Sequence, residues 1–283
     1  MRSKYMYRGR SSRGRSAGMF VFAVIWSVIT ILPLFTTLIS SFKSNPEIFS
    51  SMLSLPKKWL AQNYYDAMFG ANIMRSVFNS IVLGLGTTVI VVFVSMLASY
   101  IFSRKKHFFV KPLYLLFLTG MMLPVHTAII PLSRIAAGIR LTDNYLYLIL
   151  VYAAFQLPQS IFLATGYMNS VSKELDEAAT IDGCGMFSIL MKIMLPVSAP
   201  IISTIAVLSF IYGYSELIFS VILLTTKDKF PVSRALMFFT GERVTRMGPV
   251  FAAIIIAVVP MIILYVLFHE KVQSGMVAGA VKG

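Results

Sequence analysis

Six long apolar runs, separated by short polar segments, dominate the chain. They cover residues 19–41, 76–103, 112–133, 144–172, 193–215 and 247–268. The first four contain no Asp, Glu, Lys or Arg, and the fifth extends past Glu216 to residue 226. A helix of about 20 apolar residues crosses the hydrocarbon core of a bilayer, and it pairs its backbone groups internally. The pattern therefore predicts an all-α integral membrane protein with six transmembrane helices.

The composition agrees with a chain that faces lipid rather than water. Of the 283 residues, 57% are hydrophobic and only 13% are charged. The formal net charge of +14 is compatible with nucleic-acid binding, but the basic residues are spread over tails and loops without a folded basic module. We therefore expect membrane lipid headgroups as the counter-ions and no nucleic-acid partner.

The basic residues also predict the orientation of the chain in the membrane. They are frequent in the N-terminal segment before the first run and in the tight loop at 103–111. Short segments rich in Lys and Arg beside a span stay in the cytoplasm. Because six spans place both ends of the chain on one side, we expect both termini and residues 166–198 in the cytoplasm.

The runs divide the chain into five segments. A basic cytoplasmic tail at 1–18 is expected to be disordered, because its Arg, Ser and Gly residues bury too little apolar surface to fold. Pro46 predicts a short helix outside the membrane, since proline is tolerated in a first turn. The remaining segments are the first transmembrane helix at 19–41, an extracytoplasmic segment at 42–75, a core of five spans at 76–269 and a cytoplasmic C-terminal tail at 270–283.

A polar segment at 166–198 interrupts this core. Ser172 can cap a helix there, and Glu174, Asp176 and Glu177 lie in its first turns, where the helix dipole favours negative charge. Four apolar positions share one face of that helix, away from Glu174, Glu177 and Ile181. Those positions are Val171, Leu175, Ala178 and Ala179. The pattern predicts a short amphipathic helix that docks on another surface.

A turn and a second helix are expected next. Gly183 and Gly185 allow the chain to turn sharply after Asp182. Apolar residues cover most of the following helix, which predicts that it is buried nearly all round; they are Met186, Phe187, Ile189, Leu190, Ile193 and Met194. Pro196 and Pro200 mark the end of this helix and the entry to the fifth span.

Candidate catalytic groups are few. Cys184 is the only cysteine, and His107, His126 and His269 are scattered along the chain. No Gly-rich ATP-binding motif of the Walker A type occurs, and there is not one Gly-Lys dipeptide. We therefore expect no enzyme activity, no metal site and no cofactor in this chain.

The polar segment carries a known motif. Glu177-Ala178-Ala179, Gly183, Ile193 and Leu195-Pro196 have the residues and spacing of the EAA motif. With them the chain resembles the permease subunits of binding-protein-dependent ABC importers, in particular the MalG-like carbohydrate permeases. Further matches are Asn79-Ser80, Met122-Leu123-Pro124, Ile130-Pro131-Leu132, the segment 157–162 and the closing residues 279–283. The resemblance covers about residues 20–283 and implies the MetI-like fold of type-1 importers in the region 76–269.

The resemblance also implies a mechanism and partners. Such a subunit pairs with a second homologous permease, two ABC ATPase subunits that bind ATP and Mg, and an extracytoplasmic solute-binding protein that delivers sugar. It lies in a bacterial-type inner membrane. The loop supplies a coupling helix that sits in a cleft of the ATPase. Glu177 would make the polar contact, Ala178 and Ala179 would fit the cleft, and Gly183 would set the bend. Asp182, Ile193, Leu195 and Pro196 complete the coupling set.

Two positions depart from the family pattern. Ser172 stands where the family often has proline, and Tyr214-Ser215-Glu216 stands where a Trp-Asn pair is common. The second departure lies in the fifth span and leaves the identity of the substrate open. Glu216 could face a polar cavity, or the helix could already have reached the outer interface there. Other candidates for a translocation path are Asn79, His126, Gln156 and Tyr212, for which hydrogen bonds between helices are the competing interpretation.

Two other classes of function remain open. An importer permease of the same fold could carry an amino acid or a peptide, although the C-terminal residues 279–283 favour sugar. A secondary transporter is expected to show inverted halves with broken helices, and a membrane enzyme is expected to show clustered catalytic groups. Neither pattern is evident in the sequence, so the carbohydrate importer is the preferred interpretation.

Overall fold

The computed structural model describes residues 12–241 and 246–280. Every regular element in these ranges is helical, so the all-α prediction is confirmed. The helices are α1 (Ser12–Ser40), α2 (Asn45–Ser50), α3 (Gln62–Tyr65), α4 (Ile73–Arg104), α5 (Val110–Thr119), α6 (Ile129–Gly138), α7 (Tyr145–Ser170), α8 (Glu174–Ile181), α9 (Met186–Ile189), α10 (Leu195–Val197), α11 (Ala199–Ser215), α12 (Ile218–Leu223), α13 (Val232–Gly241) and α14 (Met247–Ala280).

Four helices are long and apolar enough to cross a membrane: α1, α4, α7 and α14. The predicted third and fifth spans are not continuous helices. Segments 110–122 and 125–138 meet at 96°, and segments 186–197 and 199–215 meet at 80°. Leu123 precedes Pro124 and is extended, as a residue before proline prefers. The number of spans in the described chain is thus four, or up to six if each bent pair is one span.

The described parts of both predicted tails are helical. Helix α1 begins at Ser12, so residues 12–18 are helical rather than disordered. Helix α14 continues to Ala280 through most of the predicted tail at 270–283. A helix that a span has already nucleated adds each further residue without a new nucleation cost, which explains both extensions. Residues 1–11 of the first tail and residues 281–283 of the second lie outside the described ranges.

Two compact units make up the chain, and the first contains residues 1–67 and 244–255. Helix α2 has its proline in the first turn, as predicted, and Glu47 accepts a hydrogen bond from the backbone N–H of Ser44. The Lys43 side chain is fully buried and donates to the carbonyls of Ser51 and Met52, both at 3.0 Å. These bonds satisfy the lysine ammonium and order the chain after α2.

The second unit contains residues 68–243 and 256–283. Helices α4, α7 and α11 form its centre. A Cβ atom added to Gly213 of α11 would lie 3.0 Å from the Cα of Gly84 in α4. The absence of side chains at both positions lets the two backbones approach closely, as small residues do between membrane helices.

Candidate coupling loop and polar groups of the spans

Helix α8 forms where the sequence predicts it. The Ser172 hydroxyl oxygen accepts a hydrogen bond from the backbone N–H of Glu174 at 3.2 Å, and the first turn carries Glu174, Asp176 and Glu177. The helix ends in a turn at Gly183, whose φ is +81°. The N–H of Cys184 then bonds to the carbonyl of Ala179 at 2.9 Å, which satisfies a carbonyl at the helix end. Gly185 has a φ of −74°, so the turn requires glycine at one of the two predicted positions.

The two alanines of the motif lie on different faces of α8. Ala178 is exposed beside Glu177, whereas Ala179 is only 5% exposed and packs in the hydrophobic core of the second unit. Leu175, which was expected on the apolar face, is exposed instead. Ile181 is 87% exposed. The available surface of α8 therefore includes Glu177, Ala178 and Ile181, while Ala179 holds the helix against its own protein.

The second helix of the loop is buried on one side only. It consists of α9, a π-helical turn at Leu190–Met194 and α10. Ile189, Leu190 and Met194 are buried, but Met186 is exposed and Phe187 is 64% exposed. The prediction of burial nearly all round was wrong, because apolar residues at a membrane surface need not face protein. Of the remaining motif positions, Ile193 and Leu195 are half-buried, and Asp182 and Pro196 are exposed.

An ion pair that the sequence did not predict joins α8 to the end of α4. The Nε of Arg104 lies 2.8 Å from Oδ2 of Asp176. The same guanidinium donates to the carbonyls of Met168 and Val171 at the end of α7. Arg104 is the first charged residue after an apolar run, which marks it as a membrane-flanking residue. Nothing in the sequence links it to a partner 72 positions away.

Two predicted path residues make hydrogen bonds within the protein. Asn79 is buried, and its Nδ2 donates to the carbonyls of Asp228 at 2.8 Å and Phe230 at 3.1 Å. Glu216 follows α11, and its carboxylate accepts from the backbone N–H of Phe219 at 3.0 Å. Asn79 thus makes a bond between separate segments, and the Glu216 carboxylate caps the start of α12.

The other path candidates are placed separately. Tyr212 packs edge-to-face against Tyr152 with ring centroids 5.8 Å apart, and the Tyr212 carbonyl accepts a hydrogen bond from the backbone N–H of Glu216 at 2.9 Å. Tyr152 is fully buried and was not predicted from the sequence. Gln156 is buried on α7, and His126 is exposed on a short 3-10 turn. Tyr212 and Glu216 are therefore the two predicted path residues that the structure brings together.

The comparison with known families decides the identity of the fold. Residues 90–277 match the family of inner membrane components of binding-protein-dependent transport systems. This match includes α8, the turn at Gly183 and the second helix of the loop. The chain belongs to this family of permeases. Its members are transporter subunits rather than enzymes.

Individual relatives of this permease cover nearly the whole chain. It is 31% identical over 271 residues to the diacetylchitobiose uptake system permease protein NgcG of Streptomyces coelicolor, which covers 95% of this chain and 90% of that protein. It is 28% identical over 277 residues to the melibiose/raffinose/stachyose import permease protein MelC of Bacillus subtilis, over 97% and 100% of the two chains.

A solved structure shares the permease's fold. A chain of a bacterial ABC transporter involved in the import of the acidic polysaccharide alginate superposes with a TM-score of 0.80 at 22% sequence identity. The superposition covers 93% of this chain and 98% of that one. The permease is therefore a multi-pass membrane protein with the fold of an ABC importer subunit, as its motif predicted.

Proposed function

We propose that this permease is the transmembrane subunit of an ATP-driven, binding-protein-dependent importer of carbohydrates, and of oligosaccharides in particular. The observation that carries the proposal is the similarity to NgcG over 95% of the chain, since NgcG is named for the uptake of diacetylchitobiose. MelC, which is similar from end to end, is named for melibiose, raffinose and stachyose. Both are permeases for short sugars.

The coupling loop gives the proposal its mechanism. Glu177 and Ala178 are exposed on α8, and Ile181 extends the same helix with an exposed apolar side chain. A carboxylate beside a small residue and an apolar side chain suits a cleft with a basic residue and an apolar floor. We place this surface in the cytoplasm against an ABC ATPase, with both termini on the same side. Ala179, Ile193 and Leu195 support the loop from within.

The proposed assembly contains four other subunits of three kinds. A second, homologous permease completes the translocation pathway, of which this chain forms half. Two ATPase subunits bind and hydrolyse ATP with Mg, and an extracytoplasmic protein captures the sugar. This division of labour accords with a sequence that has no phosphate-binding loop.

Ligand-stimulated ATP hydrolysis tests the proposal. The permease is purified with its partner subunits, and the candidate binding protein is added with mono- and oligosaccharides, an amino acid and a short peptide in turn. We expect an oligosaccharide to stimulate hydrolysis most. Stimulation by the amino acid or peptide alone would instead make the protein an importer of a non-sugar solute. The absence of any ATPase partner after gentle purification would contradict the importer assignment.

A further inference from the structure

Arg104 connects three helices at one point. Its Nε donates to Asp176 Oδ2 of α8 at 2.8 Å. Its Nη1 donates to the carbonyl of Met168 at 2.9 Å, and its Nη2 donates to that of Val171 at 3.2 Å, where α7 ends. Arg104 itself is the last residue of α4. Only the planar fork of a guanidinium can reach a carboxylate and two carbonyls in this arrangement.

A second side chain of α4 holds the other oxygen of the same carboxylate. The Tyr100 hydroxyl donates to Asp176 Oδ1 at 2.9 Å. Tyr100 and Arg104 are four residues apart, so they lie on one face of α4. Both oxygens of Asp176 are therefore bound by α4, although the two helices are far apart in sequence.

The pair is shielded from water. The side chains of Arg104 and Asp176 are 8% and 16% exposed, whereas the ion pair of Arg75 and Asp228 is 54% and 57% exposed. Separating two shielded charges leaves each one unpaired and poorly hydrated, which costs far more than separating an exposed pair. The link between α8 and α4 therefore resists separation when α8 is pushed or pulled.

The position of Asp176 on α8 gives the link a function. Glu177 and Ala178 follow it directly and are exposed, in the surface that we propose for the ATPase. We propose that Arg104 and Tyr100 are positioning residues that transmit movement of the docked helix α8 to the spanning helix α4. This inference rests on the proposed function, because it assumes that an ATPase moves α8.

Transport measurements on the assembled complex test the inference. The number of ATP molecules hydrolysed per solute molecule imported is measured in vesicles for the wild type and for Arg104→Lys. Lysine keeps the charge but has no fork, so it cannot hold the carboxylate and both carbonyls. We expect the ratio to rise at least about fivefold, as for the loss of a typical coupling between sites. Tyr100→Phe, which removes one of the bonds, should raise it about twofold.

Arg75→Lys is the matched control, because it makes the same substitution in an exposed ion pair; its ratio should equal that of the wild type. A purely structural role for Arg104 would lower the melting temperature of the complex while the ratio stayed at the wild-type value, and that result would overturn the inference. If the wild-type complex imports a solute other than sugar, the proposal of a sugar substrate fails. The ratio is then measured with that solute, so the role of Arg104 is still tested.

Discussion

Glu216 and Arg234 bind opposite ends of the same short helix, α12. The Glu216 carboxylate accepts from the backbone N–H of Phe219 at its start. The Arg234 guanidinium donates to the carbonyls of Ser220 and Leu224 at its end. An acid at the start and a base at the end both complement the helix dipole. The acid in the fifth apolar run therefore has a structural task.

Removal of this cap should destabilise the permease. We expect Glu216→Ala to cost about 1–2 kcal/mol, as for the loss of a helix cap or of a hydrogen bond to a charged group. The cost appears as a lower melting temperature of the purified complex. The neighbouring Ser215→Ala removes an exposed hydroxyl and should change stability by less than about 0.5 kcal/mol. An unchanged melting temperature with lost uptake in Glu216→Ala would favour a substrate-facing carboxylate instead.

Reversal of the charge at Glu177 should uncouple the transporter. Glu177→Lys places a cation on the exposed face of α8, where the proposed ATPase contact requires an anion. We expect the subunit to reach the membrane in normal amount, while uptake falls to background and the binding protein no longer stimulates ATP hydrolysis. Membrane abundance and uptake are measured in the same cells. Normal uptake in this variant is incompatible with the assigned contact.

The turn after α8 should be sensitive to a side chain at Gly183. Its φ of +81° strains any L-residue, and a β-branched one most, although a Cβ would meet no atom within 4 Å. Gly183→Val should therefore lower stimulated ATP hydrolysis severalfold by misplacing α8. Gly185→Val is the control, because Gly185 has an ordinary φ and equal space. Equal hydrolysis by the two variants would show that the bend is not required.

Close packing of α4 against α11 predicts a different glycine effect. A Cβ at Gly213 would lie 3.0 Å from both Gly84 Cα and Thr87 Oγ1 and 3.2 Å from the carbonyl of Leu83. Gly213→Ala must push the helices apart, and we expect a loss of about 1–3 kcal/mol. Gly166→Ala in α7 meets nothing within 4 Å and should be neutral or slightly stabilising. Thermal unfolding of the two variants in the same detergent compares them directly.

Asp143 should make stability depend on pH. Its partial burial alone would raise the pKa of the carboxyl, but hydrogen bonds from the Lys229 ammonium and from Thr225 and Thr226 hold that pKa well below its usual range. A carboxyl whose pKa is lower in the folded state stabilises fully above its unfolded pKa of about 4 and loses this effect as the pH falls toward the folded pKa.

Asp143→Asn isolates this contribution, since asparagine tolerates the positive φ of 58° at this position. The wild type should exceed the variant in melting temperature by a constant amount from pH 7 down to about pH 5, and the difference should shrink below about pH 4. A difference that stayed constant down to pH 3, or grew there, would contradict the assigned hydrogen bonds.

Much of the coupling loop could be predicted from local sequence. The cap at Ser172, the acids of α8 and the turn at Gly183 depend on residues within a few positions of one another, and all three are found in the structure. The face that α8 buries was predicted less well. Ala178 and Ala179 could not be distinguished by periodicity, because only the neighbouring helices determine which alanine is covered.

The sequence by itself determined that this chain is a helical membrane protein that carries the residues and spacing of the EAA motif. Apolar runs, capping residues and glycines act over a few turns of chain, so their effects can be predicted from the local sequence. The tertiary structure alone decided that the third and fifth runs bend and that Arg104 holds Asp176. It also decided that Glu216 and Arg234 share one helix. These relationships depend on packing between segments distant in sequence, where burial makes each hydrogen bond and charge pair matter most.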